Sequence, residues 1–378
     1  MRSTLTVRYA SFYGGFFLTA GILLPFWPLW LENRGLGAVQ VGLILALGPW
    51  GRVVANPIVA QIADRSGQAK TVLAIFAGLS VLAFAWFIPA QGFWWILAIS
   101  LFATFCFPAM LPIGESQVMG AVLHHKLDYG RIRLWGSITF IVATLGAGRL
   151  LTGRDPDLVL YLVLTALVAT FLATLLFPQQ PDDASKKERS GIAVLLTQPQ
   201  FVLFVITASL LQASHAVLNG FSTLHWRAAG ISETVIGGLW AEGVIAEIAL
   251  FSVSGFFVVR LGSIGLLGLA GISGIVRWIV LAQTTDLTAL AAVQVLHAIT
   301  FGAVHLGAMH YVARNAPLGL SATAQGIYAS ATGLAMGLAM VAAGGLFETF
   351  GGKAFFAMAA ISATGTALVA VLWLQNRR

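Results

Sequence analysis

The stretch PQQPDDASKKERSG, residues 178–191, is the longest polar interruption in this sequence and lies near its midpoint. Its two prolines and its run of charged residues are typical of a flexible linker. Six long apolar segments precede it and six follow it. The sequence therefore predicts two six-helix bundles, 1–177 and 199–378, joined by a cytoplasmic linker over 178–198.

The composition indicates a membrane protein. Of the 378 residues, 58% are hydrophobic and only 9% are charged, and the mean hydropathy is +0.88. A soluble domain carries roughly a quarter charged residues, and a spanning helix needs about 20 apolar ones. We therefore predict an all-α integral membrane protein with twelve spans. The predicted spans cover residues 9–31, 39–63, 70–90, 93–117, 131–151, 157–177, 199–221, 233–258, 262–283, 288–312, 320–346 and 353–375.

The basic residues predict the topology of the chain. Cytoplasmic loops of membrane proteins are enriched in lysine and arginine. If the N-terminus is inside, most basic residues lie at cytoplasmic ends, including Lys186, Lys187, Arg189, Arg377 and Arg378. We therefore expect an inner (plasma) membrane protein with both termini cytoplasmic, and we attribute the net charge of +7 to topology rather than to nucleic-acid binding. The basic residues expected outside are Arg34, Arg149, Arg154, Arg227 and Lys353.

Several kinds of chemistry are not expected. Cys106 is the only cysteine, which excludes an intramolecular disulfide and a cysteine-based metal site. His124 and His125 are adjacent, so they point apart on a helix, and no acidic cluster accompanies them. The sequence contains no Walker A pattern, so ATP is not expected to drive the protein. We predict no cofactor and no metal.

The loop after the second predicted span has the sequence ADRSGQAK, residues 63–70. It resembles the loop 2–3 signature of the major facilitator superfamily, and Asp64, Arg65 and Gly67 match that signature. The leading glycine and two basic positions of the signature are replaced. The resemblance implies a gating role for the loop and a fold of two parallel six-helix halves. A weak internal repeat agrees, because Arg260-Leu261-Gly262 follows span 8 as Arg65-Ser66-Gly67 follows span 2.

A narrower resemblance covers nearly the whole chain. Five segments look like the 3-phenylpropionate permease group, and more distantly like lactose permease and nucleoside–proton symporters. The resemblance implies proton-coupled import of a small organic solute by a functional monomer, with an aromatic acid such as a phenylpropionate as substrate. The segments are LLPFWPLWL (23–31), LDYGRIRLWGS (127–137), LLQASHAVLNGFS (210–222), EGVIAEIALF (242–251) and VQVLHAITFGAVHLGAMHYV (293–312).

Charged side chains within predicted spans are candidate site residues, because a charge at the bilayer centre costs on the order of 3 kcal/mol. Glu115 and Arg133 each lie nine residues from His124, so an antiparallel helix pair puts them at the same depth. Lactose permease has a carboxylate and an arginine at this spacing in its sugar site, which implies substrate binding here; the alternative is a structural ion pair. Arg52 could balance Glu115 or contact substrate, and Trp135 could stack on a ring.

Span 7 contributes a further candidate set. Gln212, His215 and Asn219 are spaced by three and four residues, so they share one helix face. We expect this face to line the substrate cavity.

Arg277 and His297 lie at similar distances from the predicted turn between spans 9 and 10. Lactose permease keeps an arginine and a histidine at this separation in its proton-coupling region. Its glutamate three residues after the histidine is replaced here by Thr300, and its lysine by Gln294. We therefore expect Glu247, in the middle of span 8, to carry the proton, with Arg277 as its cationic partner; His297 is the alternative carrier.

Three other functions compete with this one. Arg133 and Glu115 suit hydroxyl groups as well as carboxylates, so a sugar or nucleoside symporter stays open. A drug exporter fits less well, because the polar residues suit a specific polar substrate. A membrane-embedded enzyme or receptor would need a nucleophile, a metal site or an extramembrane domain, and the sequence shows none of these.

Overall fold

The computed structural model describes residues 2–178, 191–317 and 320–375, with side chains from Thr4 onward. In these residues the chain forms twelve long helices, which confirms the predicted all-α membrane fold. The helices are α1 (Arg2–Asn33), α2 (Ala38–Ser66), α3 (Ala69–Ala85), α4 (Phe93–His125), α5 (Tyr129–Leu151), α6 (Leu158–Leu175), α7 (Pro199–Ala228), α8 (Glu233–Ser252), α9 (Ser254–Gln283), α10 (Leu287–Asn315), α11 (Ser321–Phe350) and α12 (Phe355–Gln375).

Ten segments of the described chain are long and apolar enough to cross a membrane. This number is smaller than twelve for two reasons. The helix α3 has only 17 residues, and α11 and α12 form one apolar segment, Ser321–Gln375, across a short 3₁₀ turn at Gly351–Ala354.

Several predicted boundaries differ from the observed ones, and two of these differences have a structural reason. Helix α3 ends at Ala85 rather than at residue 90, because the chain turns before α4 begins at Phe93. Helix α8 ends at Ser252 rather than at residue 258, and α9 begins at Ser254. Helix α9 is kinked at Gly262, whose φ of 61° and ψ of 179° are not helical, and this kink coincides with the predicted start of span 9. Hydropathy detects the polar residues near 260, but it cannot distinguish a helix that bends from a helix that ends.

The predicted linker, 178–198, is described only in part. Ile192–Leu196 forms one short helical turn before α7. Residues 179–190, which include Lys186, Lys187 and Arg189, lie outside the described residues, as do Arg377 and Arg378.

The chain divides into two compact units. Unit 1 comprises residues 1–185 with 230–241, and unit 2 comprises residues 186–229 with 242–378. Helix α8 is therefore divided, with its first half in unit 1 and its second half, from Glu242, in unit 2.

Unit 1 has an aromatic core and close helix contacts. Tyr9, Phe12 and Phe177 pack edge to face, and Cys106 is fully buried in the same cluster. Helices approach closely at small residues, since a Cβ added to Gly15 would come within 2.8 Å of Thr170 on α6. Without a hydrophobic force between helices in lipid, such contacts supply the dispersion attraction that holds a bundle together.

Unit 2 is tied together by a buried tryptophan. Trp278 on α9 is fully buried, and its indole N–H lies 3.2 Å from the Ser214 hydroxyl of α7 and 3.0 Å from the Ser362 hydroxyl of α12. This single donor therefore joins three helices and satisfies its own hydrogen-bonding need, which lipid could not meet.

The corner between α2 and α3 depends on Gly67, which ends α2 with φ of +62°. An L-residue with a side chain pays about 1–2 kcal/mol in this left-handed region. We expect Gly67→Ala to lower the free energy of unfolding by about that amount, measured by thermal unfolding in detergent. The matched control is Gly146→Ala inside α5, where an added Cβ meets nothing within 4 Å and where alanine should stabilise the helix slightly. Equal melting temperatures for the two variants would contradict the prediction.

Candidate functional site

A buried arginine lies in the interior of unit 2. Arg277 on α9 is fully buried. Its Nη2 donates to Gln294 Oε1 at 2.6 Å, and its Nη1 donates to Thr300 Oγ1 at 2.8 Å. The same Nη1 lies 3.3 Å from His297 Nδ1. All three partners belong to α10, so the α9–α10 pairing is built around this guanidinium.

His297 connects Arg277 to a carboxylate. Its Nε2 lies 3.9 Å from Glu247 Oε2 on α8. Both side chains are mostly buried, with 16% and 19% of their surface exposed. Two glycines make room for them, because an added Cβ would meet the His297 side chain at Gly243 (3.2 Å) and the Glu247 side chain at Gly302 (3.3 Å). Glu247 on α8, His297 on α10 and Arg277 on α9 therefore lie in a row of polar side chains across three helices.

A second histidine meets the same network from α7. His215 is buried; its Nε2 lies 3.2 Å from Thr300 Oγ1, and its Nδ1 lies 3.1 Å from the Gln212 carbonyl oxygen.

Two of the helices that carry this polar network have irregular backbone next to it. Helix α7 is interrupted at Ser214–His215, and α10 contains a π-helix, Ala298–Ala303, directly after His297. Irregular backbone inside a membrane helix is tolerated where it is buried in protein and often marks a functional site.

One expectation for unit 2 needs correction, and a second needs qualification. Arg277 does not contact Glu247 directly, because His297 lies between them. The predicted face of Gln212, His215 and Asn219 crosses an irregular turn, because α7 is interrupted at residues 214–215. Gln212 and His215 are buried inside unit 2, whereas Asn219 is partly exposed.

In unit 1, Arg133 lies against aromatic rings of α1. Its guanidinium carbon is 4.1 Å from the centre of the Phe17 ring and 5.4 Å from that of Tyr13. The two rings stack on each other at 6.5 Å. Gly136, one turn further along α5, allows this approach, since an added Cβ would come within 2.7 Å of Phe17 and 2.9 Å of Arg133 Nη1. A cation over an aromatic face is stabilised by the ring quadrupole.

Glu115 lies near Arg133 but does not form an ion pair with it in the described structure. The Arg133 charge acts on the Glu115 carboxylate electrostatically. The hydrogen-bond partner of Glu115 is the Tyr129 hydroxyl, which donates to Oε1 at 3.5 Å. The described structure therefore does not contain the structural ion pair between Glu115 and Arg133 that was the alternative to a substrate site.

The remaining predicted residues of unit 1 lie elsewhere. Arg52, in the middle of α2, is exposed and makes no hydrogen bond or ion pair with a described residue. Trp135 is 51% exposed and follows Arg133 by two positions, so the two side chains do not share a helix face. Asp64 and Arg65 are exposed at the end of α2, next to Gly67.

The sequence did not single out Tyr13, Phe17 and Tyr129, which the structure brings into these clusters as direct contacts. Thr300 and Gln294 were noted only as replacements of lactose permease residues, whereas the structure makes both of them hydrogen-bond partners of Arg277. Tyr13 and Phe17 are four residues apart on α1, a spacing that gives a shared helix face. That signal was available, but a run of aromatic residues in an apolar helix more often belongs to the core. Among the described residues, no group of three histidine, cysteine, aspartate or glutamate side chains could hold a metal ion.

Comparison with known proteins identifies the family. The model of the MFS_1 like family matches residues 6–358. The chain belongs to the major facilitator superfamily. It is a secondary transporter and not an enzyme, as its curated relatives also indicate. The transporter is 32% identical over 355 residues to the "Probable 3-phenylpropionic acid transporter" of Escherichia coli (strain K12), covering 93% of each chain.

More distant relatives carry other names. The transporter is 25% identical to the "Maltose permease" of Geobacillus stearothermophilus, over 87% of its own length and 84% of that protein. Its fold matches a crystal structure of a variant of the nucleoside transporter NupG with a TM-score of 0.89, covering 97% of this chain and 99% of that one. The identity to NupG is 16%, so this likeness establishes the fold alone.

The contact between α8 and His297 generates a prediction for the transporter. In Gly243→Val the added methyl groups would press on the His297 ring, and overpacking of this kind costs about 1–3 kcal/mol. We expect initial uptake rates to fall about tenfold, since 1.4 kcal/mol corresponds to a factor of ten. The control is Gly238→Val on the same helix, where an added Cβ meets nothing within 4 Å. Uptake that is unchanged in Gly243→Val at equal expression would show that the His297 position is unimportant.

Proposed function

We propose that this transporter imports a small aromatic carboxylate together with a proton. The observation that carries the proposal is the Arg133 guanidinium lying 4.1 Å over the Phe17 ring. One face of the guanidinium is covered by an aromatic ring, while its N–H groups remain able to grip a carboxylate in the plane of the guanidinium. The name of the relative at 32% identity, a probable 3-phenylpropionic acid transporter, supports the same substrate class.

The partly exposed Phe17 offers an apolar surface beside this cation. A substrate that joins a carboxylate to an aryl ring by a short chain would place its charge on Arg133 and its ring near Phe17. In unit 1, the exposed Arg52 is a further candidate contact. In unit 2, the partly exposed Asn219 is a separate candidate, and the buried Gln212 and His215 would act by positioning their neighbours rather than by touching substrate.

A sugar or a nucleoside is the second candidate. Glu115 and Tyr129 form a carboxylate–phenol pair close to Arg133, and such pairs bind hydroxyl groups well. The maltose permease relative supports this alternative. Charge distinguishes the two substrate classes, because one carboxylate with one proton is neutral, whereas a sugar with a proton carries one positive charge.

For the proton, we propose Glu247 as the carrier. Its carboxyl group lies inside unit 2, mostly buried, with His297 at 3.9 Å. A carboxyl that is protonated in the loaded state and ionised after release couples the movement of the proton to that of the solute. We also propose that the protein acts as a monomer in the inner membrane with both termini in the cytoplasm. The loop containing Asp64, Arg65 and Gly67 would then be a cytoplasmic gating element.

The proposal is tested by uptake into proteoliposomes with an imposed pH gradient, over a panel of aromatic acids, sugars and nucleosides. We expect accumulation of aromatic acids when the outside is acidic. An imposed membrane potential should not increase this accumulation, because the carboxylate and the proton cancel in charge. A potential of 100 mV acts on one net charge with about 2.3 kcal/mol, so symport of a neutral sugar would respond strongly. Accumulation of sugars or nucleosides alone would exclude the aromatic-acid proposal.

The role of Arg133 is tested with lysine. We expect Arg133→Lys to raise the KM for an aromatic acid by about tenfold or more, because lysine provides a point charge instead of a planar fork. Arg131→Lys is the control, since Arg131 is 84% exposed and its ion-pair partner among the described residues is Asp128, at the start of α5. Transport kinetics at matched expression give the comparison. A similar KM in both variants would remove Arg133 from the binding site.

The role of Glu247 is tested with glutamine, which resembles the permanently protonated carboxyl group. Glu247→Gln should retain exchange of labelled for unlabelled substrate across the membrane, yet lose accumulation driven by a pH gradient. Glu242→Gln on the same helix is the control and should retain both activities. If Glu247→Gln still concentrates substrate against its gradient, the proton is carried by another group.

A further inference from the structure

The polar network of unit 2 contains groups whose hydrogen-bonding roles are fixed by chemistry. A guanidinium can only donate hydrogen bonds, and a backbone carbonyl can only accept them. Arg277 stands at the centre of the network and the Gln212 carbonyl stands at one end. These two groups determine where the protons of both histidines are located, because a neutral imidazole has one donor nitrogen and one acceptor nitrogen.

The first branch runs from Arg277 to α7. His215 Nδ1 lies 3.1 Å from the Gln212 carbonyl oxygen and must donate to it. Neutral His215 then has a bare Nε2, which accepts the Thr300 hydroxyl proton across 3.2 Å. Thr300 Oγ1 in turn accepts from Arg277 Nη1 at 2.8 Å. Every donor in this branch therefore points the same way, from Arg277 through Thr300 to His215.

The second branch runs from Arg277 to α8. Arg277 Nη1 lies 3.3 Å from His297 Nδ1, so this nitrogen must be the acceptor and carry no proton. The single proton of neutral His297 is then on Nε2, which faces Glu247 Oε2 at 3.9 Å. A second proton could enter His297 only at Nδ1, and the guanidinium occupies that position.

We propose that Thr300 is a positioning residue that keeps His297 from accepting the transported proton. By holding the Arg277 guanidinium against His297 Nδ1, the Thr300 hydroxyl leaves Glu247 as the proton acceptor of the row. The inference rests on the proposed proton coupling and refines it. The exclusion is chemical and electrostatic, because Nδ1 faces a donor and a fixed positive charge.

The surroundings of His297 support a fixed ring. Its imidazole stacks on the Phe301 ring at 5.2 Å with an interplanar angle of 8°. Gln294 holds the other end of the guanidinium through Nη2 at 2.6 Å. The charged and titratable groups that face His297 are Glu247 on α8, Arg277 on α9 and His215 on α7. Thr300 is hydrogen-bonded to both Arg277 and His215, so it connects both branches.

The experiment compares Thr300→Val with Thr300→Ser. Valine has nearly the same shape but no hydroxyl group, whereas serine retains the hydroxyl. Full-length protein with ¹⁵N-labelled histidine in lipid bilayers gives the direct measurement, and the His297 signals are assigned by their loss in His297→Gln. In the parent protein and in Thr300→Ser we expect a bare Nδ1 and a protonated Nε2 across pH 5–8. In Thr300→Val we expect His297 to accept a second proton at Nδ1 within that range.

Transport gives an independent readout. The rate of substrate exchange should gain a new pH-dependent step between pH 5 and 8 in Thr300→Val. This step should disappear in the double variant Thr300→Val with His297→Gln, and it should be absent in Thr300→Ser. A His297 that titrates normally in the parent protein, or valine and serine variants with identical spectra and pH profiles, would overturn the positioning role. The proposed coupling itself fails through a different result, namely pH-driven accumulation by Glu247→Gln.

Discussion

The organisation of unit 2 depends on a positive charge that the fold has removed from water. Burying an ion costs several kcal/mol even after the protein relaxes, so the terminal N–H groups of Arg277 need partners, while its Nε has no hydrogen-bond partner among the described residues. The described structure supplies uncharged acceptors on α10, with Gln294 and Thr300 holding the two ends of the guanidinium. Helix α10 carries these acceptors, and helix α7 carries His215. Both helices are held in position by the need to partner this buried charge.

The two intramembrane arginines that have partners are held in different ways. Arg277 is fully buried, and three hydrogen-bond partners fix it. Arg133 is partly exposed and is held through the faces of Phe17 and Tyr13, which leave the plane of its guanidinium accessible. One arrangement suits a permanent structural charge that controls its neighbours. The arrangement around Arg133 suits a charge that binds an anionic ligand.

The sequence predicts the fold well because the bilayer leaves few choices. Apolar length identifies the helices, and depth along a hairpin correctly brings Arg277 to His297, which the structure places 3.3 Å apart. The same argument correctly brings Arg133 near Glu115. It does not predict that the Glu115 carboxylate accepts a hydrogen bond from the Tyr129 hydroxyl instead of forming an ion pair with Arg133. The interruption of α7 at Ser214–His215 has no proline or glycine to signal it, so the buried position of His215 was not predictable from helical spacing.

The burial of Cys106 has a practical consequence. The only thiol of the chain is closed off in the core of unit 1, with none of its surface exposed. Maleimide and spin-label reagents therefore meet no accessible native thiol on the folded protein. A cysteine introduced at any exposed position becomes the single reactive site without prior removal of Cys106. The native protein can therefore serve as the background for labelling. Two cysteines introduced at exposed positions would allow the distance between their labels to be measured.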